Sequence, residues 1–136
     1  MINTVSVAII TRNRDKSLRR CLTSLKKQTY KATEIILIDN ASSDRTKNVA
    51  LLFKDVLPIR YIHEECIGIP YARNRAITEA KGEILAFIDD DCEATSTWIS
   101  EMVKAHERYT KAAAIQGKTL SQPRRSVFSK IYELNY

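Results

Sequence analysis

The sequence predicts an α/β fold, a mostly parallel sheet with helices on both faces. Two observations predict it. Apolar runs of strand length, rich in β-branched residues, alternate along the chain with amphipathic helical stripes. The runs also end in polar residues, and in a parallel sheet ligands bind beyond those carboxyl ends. The chain has 136 residues, 44% of them hydrophobic, which is enough for one domain with a core.

Val5 to Ile10 is a near-continuous apolar run and reads as a buried strand. Asp15 to Gln28 places Leu18, Cys21, Leu22 and Leu25 on one stripe with basic residues opposite, an amphipathic helix. Glu34 to Ile38 is a second buried strand. Ser42 and Ser43 are candidate N-caps for a helix carrying Val49, Leu52, Phe53 and Val56 on one side. Ile59 to His63 is a shorter strand. Pro70 suits the first turn of a third helix, placing Arg73 in that turn, and Gly82 stands where its C-cap is expected. Glu83 to Ile88 is a fourth strand. Thr95 to Tyr109 is a helix with Trp98, Met102, Ala105 and Tyr109 on one stripe. Ala112 to Gln116 is a candidate fifth strand, Pro123 breaks the chain, and Val127 to Tyr132 begins another helical pattern.

The strand exits are the place to look for chemistry. The first exits at Thr11-Arg12-Asn13-Arg14, the second at Asp39-Asn40-Ala41-Ser42, and the fourth at Asp89-Asp90-Asp91. Three consecutive carboxylates repel one another, and a divalent cation relieves that repulsion. Hard cations prefer carboxylate oxygens and share ligands with substrate phosphates. The chain has three glycines, no Gly-x-Gly-x-x-Gly and no glycine-rich lysine loop, which argues against backbone cradling of a pyrophosphate. Charge is then neutralised by a metal at the acids and by the guanidinium of Arg73. Asp39, at the end of an apolar strand, is placed to accept a hydrogen bond from a base or ribose.

Composition excludes other classes. Cys21, Cys66 and Cys92 are odd in number and far apart, so neither a disulfide framework nor a zinc site is indicated. Cys92 reads as a packed residue, and His63 and His106 are isolated. The net charge of +6 reads as a solvated basic surface. Aromatic residues are not interleaved with the basic ones, so no nucleic-acid partner is expected. Without a signal-peptide pattern or a stretch of transmembrane length, the chain is expected in the cytoplasm, free or at the inner face of the membrane.

These residues together resemble the inverting, family-2 type of nucleotide-sugar-dependent glycosyltransferase with the GT-A fold. The resemblance rests on five pieces in order. They are the strand through Thr11-Arg12-Asn13-Arg14, then Cys21 to Leu25 with Gln28-Thr29-Tyr30, and then Asp39-Asn40-Ala41-Ser42-Ser43-Asp44-Arg45-Thr46. Gly68 with Ala72-Arg73-Asn74 follows, and last the Asp-x-Asp-like Asp89-Asp90-Asp91. It implies a Rossmann-like nucleotide-binding half of a GT-A domain. Residues 1–120 would bind the donor, and 121–136 would begin a truncated acceptor-side region. It further implies that Thr11, Arg12 and Asn13 line the nucleoside pocket, that Asp39 binds the base, and that Arg73 and Asp90 lie along the donor. Asp89 would contact the ribose or the metal, and Asp91 would coordinate Mn²⁺ or Mg²⁺. The donor implied is a UDP-sugar, or else a GDP-sugar, and the acceptor a saccharide or lipid-linked species. The general base is expected beyond Tyr136. Arg12 replaces a usual Tyr, Ile10 a Pro, and Cys92 a common Asp.

Three rival readings carry their own expectations. A haloacid-dehalogenase-type phosphatase would use Asp89 as nucleophile and Asp91 as acid/base, but Glu93 stands where that motif wants Thr or Val. A sugar-nucleotidyltransferase needs a glycine after the first strand. A non-enzymatic nucleotide-binding module needs only the binding residues.

Overall fold

The computed structural model describes residues 4–121. Four parallel strands form one sheet: β1 (Val5–Thr11), β2 (Glu34–Asp39), β3 (Ile59–His63) and β4 (Ile84–Phe87). Their order is β3-β2-β1-β4. The helices between and after them are α1 (Asp15–Lys26), α2 (Thr46–Leu52), α3 (Ile69–Glu79) and α4 (Trp98–Arg108). The predicted α/β architecture with helices on both faces is therefore present.

Strand alternation divides the core in two. Val5, Val7 and Ile9 point to one face, where Leu18, Leu22 and Leu25 of α1, Val49 of α2, and Ile99 and Val103 of α4 close over them. Ala8, Ile36 and Ile38 point to the other face and meet Ala72 and Ala76 of α3. Two alanines at helical spacing let α3 sit close to the sheet. The register pairs Thr11 with Asp39, and Asp39 with His63, across the carboxyl edge.

Several expectations are corrected. Residues 112–116 form no strand and are mostly exposed. Three consecutive alanines have little strand propensity, and no strand edge pairs with them. The stripe assigned to α2 is only partly buried. The helix stops at Leu52, turns follow through Val56, and Leu52 and Val56 stay exposed. Helix α4 starts at Trp98, not Thr95. Ile99 and Val103 are its buried residues, Trp98 and Met102 pack at the margin, and Tyr109 is exposed. Helix α3 starts at Ile69, which makes Arg73 its fifth residue instead of part of the first turn. Ala80, not Gly82, follows that helix as its C-cap. Pro123 and the pattern at 127–132 lie outside the described residues.

Candidate functional site

The strand order puts the exit of β1 between those of β2 and β4. Thr11, Arg12 and Asn13 therefore stand between Asp39 on one side and Asp89 to Asp91 on the other. Thr11 is buried, while Arg12 and Asn13 are exposed.

Asn13 adopts the left-handed region with φ 53°, as does Ala41 with φ 56°. Asparagine tolerates that region well, and alanine less so. The two turns are tied together. The Asn13 amide N–H donates to Ser42 Oγ at 2.9 Å, and the Ser43 amide N–H donates to Asn13 Oδ1 at 2.7 Å. Ser42 and Ser43 are thus spent on joining the β1 and β2 exits, which corrects their expected role as caps. Asp44 does the capping instead. Its Oδ1 accepts from the amide and hydroxyl of Thr46, and its Oδ2 accepts from the Asp15 amide at the start of α1. Burial raises its pKa, but these donors outweigh that and hold its carboxyl below the usual range.

Asp39 is buried at the end of β2, and its carboxylate is partnered inside the protein. Oδ1 accepts from the Ser42 amide at 2.9 Å and Oδ2 accepts from the Tyr61 hydroxyl at 2.5 Å. Burial, with Asp39 beside it, pushes the Tyr61 phenol pKa up, so Tyr61 stays a donor. Next to it Asn40 reaches across to the segment before α3. Its side-chain amide donates to the carbonyls of Glu64 and Cys66, and its Oδ1 accepts from the Gly68 amide at 2.8 Å. Gly68, with φ 145°, makes the turn into α3. Asn40 thereby sets where α3 begins.

The three acids separate by side. Asp89 and Asp91 are exposed and Asp90 is buried. Burial, with the carboxylates of Asp91 and Asp89 adding to it, raises the Asp90 pKa, and the Thr11 hydroxyl and then Arg14 partly offset this. Arg14 donates to Asp90 Oδ1 at 3.4 Å and to Asp91 Oδ2 at 3.0 Å. Asp89, Asp91 and the half-buried Cys92 each offer one ligand atom, all within 4.8 Å of one another. The donor chemistry at Asp89 and Asp91 fits a hard divalent cation. The Thr11 hydroxyl is buried at the end of the central strand, beside the Asp90 carboxylate. Burial, then Asp91 and Asp89, push the Cys92 thiol up, in keeping with a packed residue and not a nucleophile.

The segment after the acids is held by Ser24 of α1 and by Gln28 just beyond that helix. The Gln28 side-chain amide donates to the Thr95 carbonyl at 2.6 Å, and its Oε1 accepts from the Ile99 amide at 3.0 Å. The Ala94 amide donates to Ser24 Oγ. Arg73 lies on α3, exposed, and makes no ion pair with a described residue. So the strand ends and the acids share one edge, while Arg73 is not drawn into contact with them.

Sequence reasoning missed Arg14, Asn40, Tyr61 and Gln28. Arg14 and Asn40 had a signal, since both sit in strand exits. Tyr61 and Gln28 are placed by tertiary contacts alone.

The edge so built matches a known family. The profile described as "Glycosyl transferase family 2" covers residues 6–133. The chain belongs to glycosyl transferase family 2. It is 38% identical over 104 residues to "Glycosyltransferase AglE" of Haloferax volcanii, a match covering 73% of this chain and 34% of that protein. It is 37% identical over 109 residues to the "GalNAc(5)-diNAcBac-PP-undecaprenol beta-1,3-glucosyltransferase" of Campylobacter jejuni, covering 77% and 35%. The family-2 chain thus spans about a third of the length of these relatives. In fold it is similar to S. aureus TarS 1-349 in complex with UDP, with a TM-score of 0.74 at 24% identity, covering 88% of this chain and 38% of that one. It is also similar to the mannosyltransferase PcManGT of Pyrobaculum calidifontis in complex with GDP-Man and Mn²⁺. There the TM-score is 0.63 at 25% identity, covering 68% and 29%. The GT-A, Rossmann-like half expected from the sequence is the observed fold. The rival phosphatase and non-enzymatic readings gain no support.

Proposed function

We propose that the protein containing this chain transfers a glycosyl group from a nucleoside-diphosphate sugar to a saccharide or lipid-linked acceptor. Residues 1–120 would supply the donor-binding half. The single observation that carries the reading is the convergence of Thr11, Asp39, and Asp89 with Asp91 on one sheet edge, in a chain of this family.

Thr11, Arg12 and Asn13 line the nucleoside side, and Arg12, fully outside the strand, can stack its guanidinium on a base. Asp39 keeps unused lone pairs for the base, and Tyr61 and Ser42 hold its carboxylate in place. Asp89 and Asp91 hold the metal, Mn²⁺ or Mg²⁺. The ion supplies charge stabilisation to the departing nucleoside diphosphate. Asp90 lies along the same edge but is buried, and it positions Arg14 beside Asp91. Arg73 approaches the diphosphate only if the donor extends toward α3. UDP is the favoured nucleotide and GDP the alternative. PcManGT, with GDP-Man and Mn²⁺, and the lipid-linked acceptor named for the Campylobacter relative support this range. Activation of the acceptor is assigned to the rest of the protein, and the setting to the cytoplasmic side of the membrane.

Calorimetric titration tests the reading. UDP or GDP should bind in the presence of Mn²⁺, and Asp91→Asn should weaken binding at least about tenfold, the scale of losing one charge-assisted contact. The melting temperature should not fall. Equal affinity in the presence of a chelator would overturn it.

A further inference from the structure

A second surface is built on the outer side of α1 and α2. A groove of about 320 Å³ between these helices is lined by Lys16 and Arg19 from α1 and by Arg45, Asn48 and Leu52 beside or within α2. Lys16, Arg19 and Arg45 make no ion pair with any described residue. The one carboxylate in the lining, Asp15, accepts from the Lys16 amide. Leu52 in the lining is 64% exposed, and its neighbour along α2, Leu51, is 50% exposed.

Unpaired cations around a concavity select an anion. Adjacent outward leucines select something apolar beneath that anion. A nucleic acid would call for aromatic platforms, and the groove has none. Basic residues flanking exposed leucines match an interfacial membrane surface. We propose that the α1–α2 face docks on an anionic lipid bilayer. Headgroup phosphates enter between Lys16, Arg19 and Arg45, and Leu51 and Leu52 reach the boundary of the acyl region. Both helices begin at the exits of β1 and β2, so docking holds the donor edge near the membrane surface. The purpose of this placement rests on the lipid-linked acceptor reading. The docking itself does not.

The test is co-sedimentation with vesicles of phosphatidylcholine alone, or of phosphatidylcholine mixed with phosphatidylglycerol. The chain should sediment with the mixed vesicles only, and less as salt rises. Combining Lys16→Ala, Arg19→Ala and Arg45→Ala should weaken binding on the order of 100-fold, at about fivefold per residue. Leu51→Ser with Leu52→Ser should weaken it at high salt, where the apolar contribution dominates. Arg75→Ala with Lys81→Ala, on the α3 side, should leave it unchanged. Circular dichroism and a UDP titration on each variant show that the fold and the donor edge persist. Equal sedimentation with both vesicle types, an unaffected triple variant, or equal loss in the α3-side variant would overturn the proposal. Tighter binding to tRNA than to anionic vesicles, lost in the same triple variant, would reassign the face to nucleic acid. Vesicle binding without UDP binding would overturn the donor reading and leave the docking face standing.

Discussion

The buried carboxylate of Asp39 shows how one residue organises the edge at which nucleotide binding is proposed. It ends a strand, closes the following turn through the Ser42 amide, and is gripped by the Tyr61 hydroxyl from the neighbouring strand. Leaving a buried acceptor without a donor costs about 1–3 kcal/mol. Tyr61→Phe is therefore expected to lower stability by about that amount in urea denaturation. Nucleotide affinity should also fall, because Asp39 is freed to rotate. If both are unchanged, water replaces the phenol and Tyr61 has no holding role. The sequence shows that Asp39 ends an apolar strand. Which side chain holds it depends on the β2–β3 register, which brings Tyr61 beside it.

At the scale of elements, the connections do more than link strands and helices. Gly82 lies between α3 and β4, against β1. A Cβ at this position would stand 2.5 Å from the Ser6 amide nitrogen and 2.9 Å from Ser6 Oγ. Backbone on one side cannot give way as a flexible side chain can. Ser6 Oγ also accepts from the Gly82 amide and donates to Glu34, so the crowding falls on a hydrogen-bonded cluster. Gly82→Ala should destabilise the chain by about 1–3 kcal/mol, the range for overpacking, as read by thermal melting. A melting point equal to wild type would show that β1 and this loop can part freely. The glycine is visible in the sequence as punctuation after a helix. Its reason is visible only in the approach of that loop to β1. The same holds for the turn after β2, where Ser42 and Ser43 look like caps but join two loops, while Asp44 caps two helices.

At the scale of the molecule, the sheet is bound at its amino edge by a charged network. Arg60 on β3 meets Glu34 on β2 at 3.3 Å and Glu79 at the end of α3 at 2.7 Å. Burial works to raise the pKa of Glu34, but the Ser6 hydroxyl, the Lys81 amide and Arg60 outweigh it, so its carboxyl sits below the usual value of 4.5. Hydrogen bonding from Arg60, first, also lowers that of Glu79. Lowered carboxylates contribute stability above their unfolded pKa and lose it as pH falls through the folded values. Asp90, raised mainly by burial, acts in the opposite sense, since its contribution is lost as pH rises through its folded value. With Asp44 also lowered, three groups oppose one, and melting temperature should drop as pH falls below about 4.5. Glu34→Gln should flatten that acid limb. An equally steep limb in the variant would show that this network does not set the acid response.

The chain's own order determined a good deal. Strand-length apolar runs, helical stripes and three polar exits define a parallel α/β sheet, because periodicity and burial are local properties of a sequence. The Asp89–Asp91 motif and Asp39 were legible for the same reason, as acids at the ends of apolar runs. What tertiary structure alone decided is which exits become neighbours and who partners whom. The order β3-β2-β1-β4 sets Thr11 between Asp39 and the acids. Packing turns Asp90 inward while Asp89 and Asp91 face out. Arg14 reaches 76 and 77 residues along the chain to meet the acids. Such pairings depend on distances that close only when the sheet forms, so no local pattern announces them.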